Sequence, residues 1–230
     1  MEKKKYFVEL DALRCVGFLG IFFGHVFFTT NSDIVNGNVY QLFQEFCKIL
    51  GSISLDSFFV LSSFLITWRW IEEIKKNNNF HFKNFFVRRA LRIWPLYFFI
   101  VSIGFLFLAF TNYMNYEINS LPALWKFLVF IINFHIIENG YDFLFFMVFM
   151  WSISLEEQFY VFWGIIMTWF NKFILQICII IIIGSIGFRF YYINESLMLR
   201  FHIISALGNF GIGALAAIYT FNQSKLLNII

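Results

Sequence analysis

Arg14 and His25 are the side chains whose type and spacing first suggest chemistry. They lie eleven residues apart in LDALRCVGFLGIFFGHVFF (10–28). At about 3.6 residues per turn this is almost a whole number of turns, so both sit on one helix face, roughly 16 Å apart along the axis. Asp11, three residues before Arg14, can pair with it on that face. The segment is otherwise apolar and long enough to enter a bilayer, where a central Arg costs about 2.5–3.5 kcal/mol and normally faces a protein interior or a wet cavity. The aligned pair therefore defines a polar track, with an imidazole that exchanges protons near neutral pH at its deeper end. The plainer alternative is an arginine reaching for the interface and a histidine used in packing.

Three further stretches carry reactive or anion-binding groups. LDSFFVLSSFLIT (55–67) combines Asp56 with the hydroxyls of Ser57, Ser62 and Ser63, just after Ser54. It reads either as polar support for the track or as helix packing through small polar residues. FFVRRALRIWPLYFF (85–99) places Arg88, Arg89 and Arg92 on neighbouring turns. Guanidinium groups grip phosphate in bidentate fashion, so this cluster could hold a polyanion at the membrane surface, or anchor lipid headgroups. WSISLEEQFY (151–160) opens an apolar stretch with adjacent carboxylates, Glu156 and Glu157, which could complement Arg14 or His25 across a bundle or favour a helix N-terminus. His81, His135 and His202 have no matching partners and read as non-catalytic.

The elements that would position these groups are membrane helices. The 230 residues are 60% hydrophobic and 13% charged, with mean hydropathy +0.73. Soluble domains average about 45–50% apolar and 25% charged, so the reading is an all-α, polytopic transmembrane bundle in contact with a lipid bilayer. About seven spans are expected, near 11–29, 52–69, 93–111, 123–137, 153–170, 173–193 and 201–221, with 138–152 as an inner loop followed by a short amphipathic or re-entrant piece. Segments 30–50 and 112–121 are expected as outer loops, and 194–200 as a cytoplasmic one. Residues 69–92 carry seven Lys and Arg against Glu72 and Glu73, so the positive-inside rule puts them, and the N-terminus, in the cytoplasm. Lys3–Lys5 precede a run too long, and too charged, for a cleaved signal.

Nucleic-acid binding is not supported, because the basic residues border apolar spans. Cys15, Cys47 and Cys178 show no disulfide or zinc spacing, and no metal site is expected. Glycine-rich phosphate loops, serine-hydrolase elbows and zincin motifs are not found.

Taken together and in order, LDALRCVGFLGIFFGH, DSFFVLSSFLIT, FFVRRALRIWPLYFF and WSISLEEQFY resemble the acyltransferase 3 family of integral-membrane acyltransferases, which includes O-antigen, capsule and peptidoglycan O-acetylases. GNFGIGALAA (208–217) looks like that family's small-residue helix. The resemblance implies a single membrane acyltransferase domain over 1–230 that moves an acyl group, usually acetyl from acetyl-CoA, to a hydroxyl of a cell-envelope polysaccharide or glycolipid at the inner membrane. By position, Arg14 and His25 match the family's essential pair, Arg88, Arg89 and Arg92 its cytoplasmic arginines, and Glu156 the acid of its WS-x-S-x-E motif. Asp11, Asp56, Ser62 and Glu157 would support them. Family members carry Gly where Ser63 stands, and they have more spans, so the domain is expected to be short at its C-terminus. Two other readings compete: a transporter or flippase relaying protons through His25 and Glu156, and a non-catalytic remnant.

Overall fold

The computed structural model describes residues 8–27, 32–77, 81–114 and 121–227. Within them the chain is all helical: α1 (Val8–Val26), α2 (Ser32–Val35), α3 (Asn38–Asn77), α4 (Phe82–Tyr113), α5 (Leu124–Leu128), α6 (Ile132–Asn139), α7 (Phe145–Val148), α8 (Met150–Trp169), α9 (Ile174–Tyr191), α10 (Ser196–Phe201) and α11 (Ile203–Leu227). Four stretches are long and apolar enough to cross a membrane: Asn38–Lys76, Phe82–Thr111, Asn171–Tyr191 and Ser196–Asn222. Helices α1 and α8 are of comparable length, at 19 and 20 residues. Each also holds charged side chains, Glu9, Asp11 and Arg14 in α1, Glu156 and Glu157 in α8. Lys3–Lys5 and most of the expected loop 112–121 fall outside the described residues.

The helices pair through small residues, as lipid-solvated bundles do when tails give no hydrophobic drive between helices. On α1, Gly17, Gly20 and Gly24 face Phe58, Ser54 and Gly51 of α3. A side chain at Gly24 would stand 3.1 Å from the Cys47 carbonyl oxygen and 3.2 Å from the Gly51 Cα, so only glycine lets the two backbones approach this closely. The contact order runs backwards, so α1 and α3 are antiparallel. Helix α11 packs on α3 in parallel: Asn209 donates to Asp56 (2.8 Å), Gly213 abuts the Val60 carbonyl, and Phe221 meets Trp68. Ser63 donates to the Phe210 carbonyl at 2.5 Å, and the close backbone approach is made at Gly213.

Helix α8 fills the centre. Trp163 and Phe159 are fully buried, and Phe159 stacks on Phe210 of α11 at 3.9 Å between centroids. Trp163 Nε1 donates to Thr67 of α3 (2.9 Å), and Ser62 of α3 meets Tyr160 at 2.7 Å, so α8 also runs parallel to α3. Against α4 it is antiparallel, from Gly164 beside Phe82, through Arg89 over Tyr160, to Gly104 beside Met147 just before α8 begins.

Several expectations are corrected. The expected span 123–137 is not a continuous helix: α5 ends at a turn where Phe130 adopts φ 56°, in the left-handed region, and α6 then runs only to Asn139. Such a conformation costs on the order of 1–3 kcal/mol and persists where surroundings fix it. Here the Gln158 amide of α8 donates to the Phe130 carbonyl (2.7 Å) and to Asn133 Oδ1 (2.8 Å), and Asn133 donates to the Phe201 carbonyl (3.1 Å). The segment between α4 and α8 thus starts and finishes at one end of the bundle, which inverts every later connection. Residues 194–200, expected beside the basic loop, are instead mostly helix α10, where Arg200 reaches Ser52 of α3 at 3.4 Å. Ser52 is 25 residues, roughly 37 Å, from the α3 terminus that leads into that loop. Lys172, expected outside, joins the basic end. The expected loop 30–50 is helical from Asn38, and α4 starts at Phe82 rather than near 93, so Pro95 lies inside it and removes one backbone donor there.

In a background lacking the three native cysteines, cysteines placed at Glu195 and at Lys76 are expected to label from opposite sides of sealed membranes. Labelling of both from one side would refute this arrangement.

Candidate active site

The predicted site residues divide into two levels along the bundle. At the level of Arg14, Glu156 of α8 accepts a very short hydrogen bond from the Tyr160 hydroxyl one turn on, and that hydroxyl also meets Ser62 Oγ (2.7 Å). The spacing Glu156–Tyr160 is i, i+4, which stacks the two on one face of α8. The Arg89 guanidinium lies 5.2 Å from the Tyr160 ring centroid, a cation–π contact. Arg92 and Glu156 both line a cavity of about 260 Å³ with Ile93, Leu96, Tyr97, Ile100 and Ile153. Glu156 also lies within electrostatic reach of Arg14, Arg89 and Arg92. Arg14 keeps its local partner Asp11 at 3.2 Å, with the guanidinium about one third exposed. One carboxylate therefore lies within electrostatic reach of three guanidinium groups from two other helices, with no ion pair to any of them among the described residues.

Arg88 does not join them. It sits 100° around the helix from Arg89, is exposed, and pairs with Glu73 of α3 at 3.7 Å. Glu157, 3% exposed, turns away from Glu156 toward Trp94 of α4. That approach falls short of a hydrogen bond, and Glu157 Oε1 and Trp94 Nε1 are both buried without a partner.

The second level lies about three turns away, at His25. The imidazole is exposed on α1 and meets Phe149 edge-on, at 4.7 Å between centroids and 70° between planes. Phe149 precedes Glu156 by seven residues, roughly 10 Å, so the carboxylate sits well below the imidazole. Asp56 lies between the two levels, where Asn209 donates to it and Arg189 and Arg200 act on it electrostatically. Arg200 also acts on His25, donates to Ser52 and lies 5.8 Å from the Trp151 ring centroid. Of the other histidines, His135 sits between Lys126 and Asn139 (3.1 Å each) and His202 stacks on Phe188.

Arg189, Arg200 and Asn209 escaped the sequence reading. Arg189 was visible as the one charge in an apolar run, whereas Arg200 lay in a segment read as a loop on the wrong side, remote from His25.

Comparison with known proteins agrees with this arrangement of motifs. A family model described as an acyltransferase domain matches residues 7–229. The chain belongs to the acyltransferase 3 family. Among curated relatives, "Putative O-acetyltransferase SACOL0978" of Staphylococcus aureus strain COL is 26% identical over 175 residues, covering 73% of this chain and 26% of the relative. O-acetyltransferase OatA of Staphylococcus aureus strain NCTC 8325 is 25% identical over 205 residues, covering 81% and 30%. The chain thus spans less than a third of the length of these relatives. No solved structure matches it.

Glu156→Gln and Arg89→Gln are each expected to destabilise the detergent-solubilised protein. The double variant should cost less than their sum, with a coupling of about 1–3 kcal/mol. Strict additivity in denaturant unfolding would show that the carboxylate and the guanidinium do not interact.

Proposed function

We propose that this chain transfers an acyl group, in the first place acetyl, from acyl-CoA to a hydroxyl of a cell-envelope polysaccharide or glycolipid. The observation that carries the reading is the two-level site: a cavity lined by Arg92 and Glu156, with Arg14 and Arg89 in electrostatic reach of that carboxylate, and an exposed imidazole about 16 Å from Arg14 along the same face of α1. Membership of an acyltransferase family supplies the reaction class, and the O-acetyltransferase names of the relatives favour acetyl on oxygen.

Arg89, Arg92 and Arg14 are the groups suited to a donor rich in phosphate, since planar guanidinium groups bind phosphate oxygens two at a time. Arg88, at the rim, adds positive charge at the entrance. Glu156 and Tyr160 hold the guanidinium groups in place, and a flexible arm such as the one bearing the thioester of acyl-CoA can bridge the distance to His25. There the imidazole takes the proton of the acceptor hydroxyl as its oxygen attacks the thioester carbonyl. The new C–O ester bond forms, the C–S bond breaks, and His25 returns the proton to the departing thiolate. Asp56, fixed by Asn209, supports the acceptor side. Lys75, Lys76, Lys83, Arg88 and Lys172 at one end favour a cytoplasmic donor side, an N-terminus inside and residence in the cytoplasmic membrane. Helices α1, α3, α4, α8, α9 and α11 would cross the membrane, with α5–α7 re-entrant, a count of six rather than seven.

In membranes supplied with radiolabelled acetyl-CoA and native envelope glycan, His25→Ala is expected to lower label transfer by about 10²-fold or more while leaving membrane protein levels unchanged. Transfer retained in that variant would refute the assignment. Arg92→Ala is expected to raise the KM for acetyl-CoA several-fold with a smaller change in kcat. A flippase relaying protons through His25 and Glu156 would instead move substrate with no dependence on acyl-CoA.

A further inference from the structure

The His25 end of the bundle holds more positive charge than the structure spends. Two guanidinium groups, Arg189 near the end of α9 and Arg200 on α10, act on one carboxylate, Asp56. That carboxylate already accepts from Asn209 at 2.8 Å. Arg189 uses Nε on the Ser205 carbonyl (3.2 Å), which leaves its two terminal nitrogens out of that bond. Arg200 makes one long hydrogen bond, to Ser52 at 3.4 Å, through one of its nitrogens. Both arginines are exposed. The Trp151 ring beneath Arg200 orients its planar fork, and Ser52 adjoins Gly51, which packs on Gly24 next to His25. Through Ser52, Gly51 and Gly24, Arg200 comes into the neighbourhood of the imidazole, on which it acts electrostatically.

We propose that Arg200, assisted by Arg189, forms an acceptor subsite for an anionic group, a carboxylate or phosphate ester carried by the glycan. An anion held in the Arg200 fork would leave a hydroxyl of the same or a neighbouring sugar within reach of His25. Specificity then follows from charge: a neutral glycan adds no ion pair to the two guanidinium groups, while an acidic one pairs their remaining nitrogens bidentately. The chemistry is common to a glycan acid and an anionic lipid headgroup, but the position of Arg200 beside His25 favours the molecule that must present a hydroxyl there. The inference rests on the acyl-transfer reading for the meaning of "acceptor", not for the binding itself.

The test uses the full chain in phosphatidylcholine nanodiscs, titrated calorimetrically with trigalacturonate and with its carboxyl-reduced counterpart, without acyl donor. The acidic trisaccharide is expected to bind at least tenfold more tightly. Arg200→Gln should bring the two to equal, weak affinity, Arg200→Lys should keep part of the preference, and Lys172→Gln at the opposite end should keep all of it. Equal affinities in the unsubstituted protein, or a preference that survives Arg200→Gln, would overturn the proposal. So would a preference abolished by phosphatidylglycerol in the nanodisc, which would assign the arginines to a lipid headgroup. Acetyl transfer measured in parallel separates the two ideas. A preference for the acid without any transfer would refute the proposed function and leave the subsite standing. Transfer without the preference would do the reverse.

Discussion

Glu156 is the group on which the arginine-rich half of this structure depends. Three guanidinium groups, Arg14 from α1 and Arg89 and Arg92 from α4, lie within electrostatic reach of it, and Arg92 shares with it a cavity lined otherwise by Ile, Leu and Tyr. Gathering like charges in a low-dielectric setting is unfavourable unless an opposite charge lies among them and its oxygens are hydrogen-bonded. Glu156 supplies that charge, and Tyr160 and Ser62 tie it to α3. The same short chain of contacts thus satisfies the carboxylate and holds α8 between α3 and α4. Removing the carboxylate would leave the arginines repelling one another across a helix interface, which is why packing and binding cannot be separated here.

The second constraint is backbone satisfaction in the broken segment between α4 and α8. Helix ends and turns at membrane depth are tolerated only where protein covers their polar groups. Gln158, two residues past Glu156, supplies that cover for the Phe130 carbonyl and for Asn133, and Asn133 reaches on to α10. The EEQ triplet thereby faces three ways: Glu156 to the arginines, Glu157 to Trp94, and Gln158 to the broken segment. Successive residues on a helix are 100° apart, so one short stretch of α8 can serve three neighbours.

Much of this was legible in the sequence. Composition and apolar run lengths give a helical membrane bundle, and spacing alone puts Arg14 and His25 on one face. The motifs identify the family. The reading went astray at 123–149, where hydropathy resembles a span but Asn133, Glu138, Asn139 and Gly140 interrupt it. What decides the matter is a tertiary hydrogen bond from Gln158, to which a hydropathy window is blind. Because parity propagates, that single error moved 194–200 to the wrong side and hid Arg200 from His25. The exit of Arg88 from the cluster was likewise invisible, since RRALR shows three cations on adjacent turns but not which way each guanidinium swings.

The two levels also explain why His25 and Glu156 need not touch. In the proposed reaction a polyanionic donor and an acceptor at the opposite face would each need separate recognition, with the reacting atoms meeting at one of the two levels. An imidazole placed among the arginines at the Glu156 level would face their summed positive field and would be disfavoured as a proton acceptor. Three turns of α1 separate it from those three guanidinium groups and bring it to the edge of Phe149, where Arg200 is the cation that acts on it. The eleven-residue spacing is therefore more than a register that aligns two side chains. Under the proposed mechanism it sets the distance at which anion binding and proton transfer would share one helix.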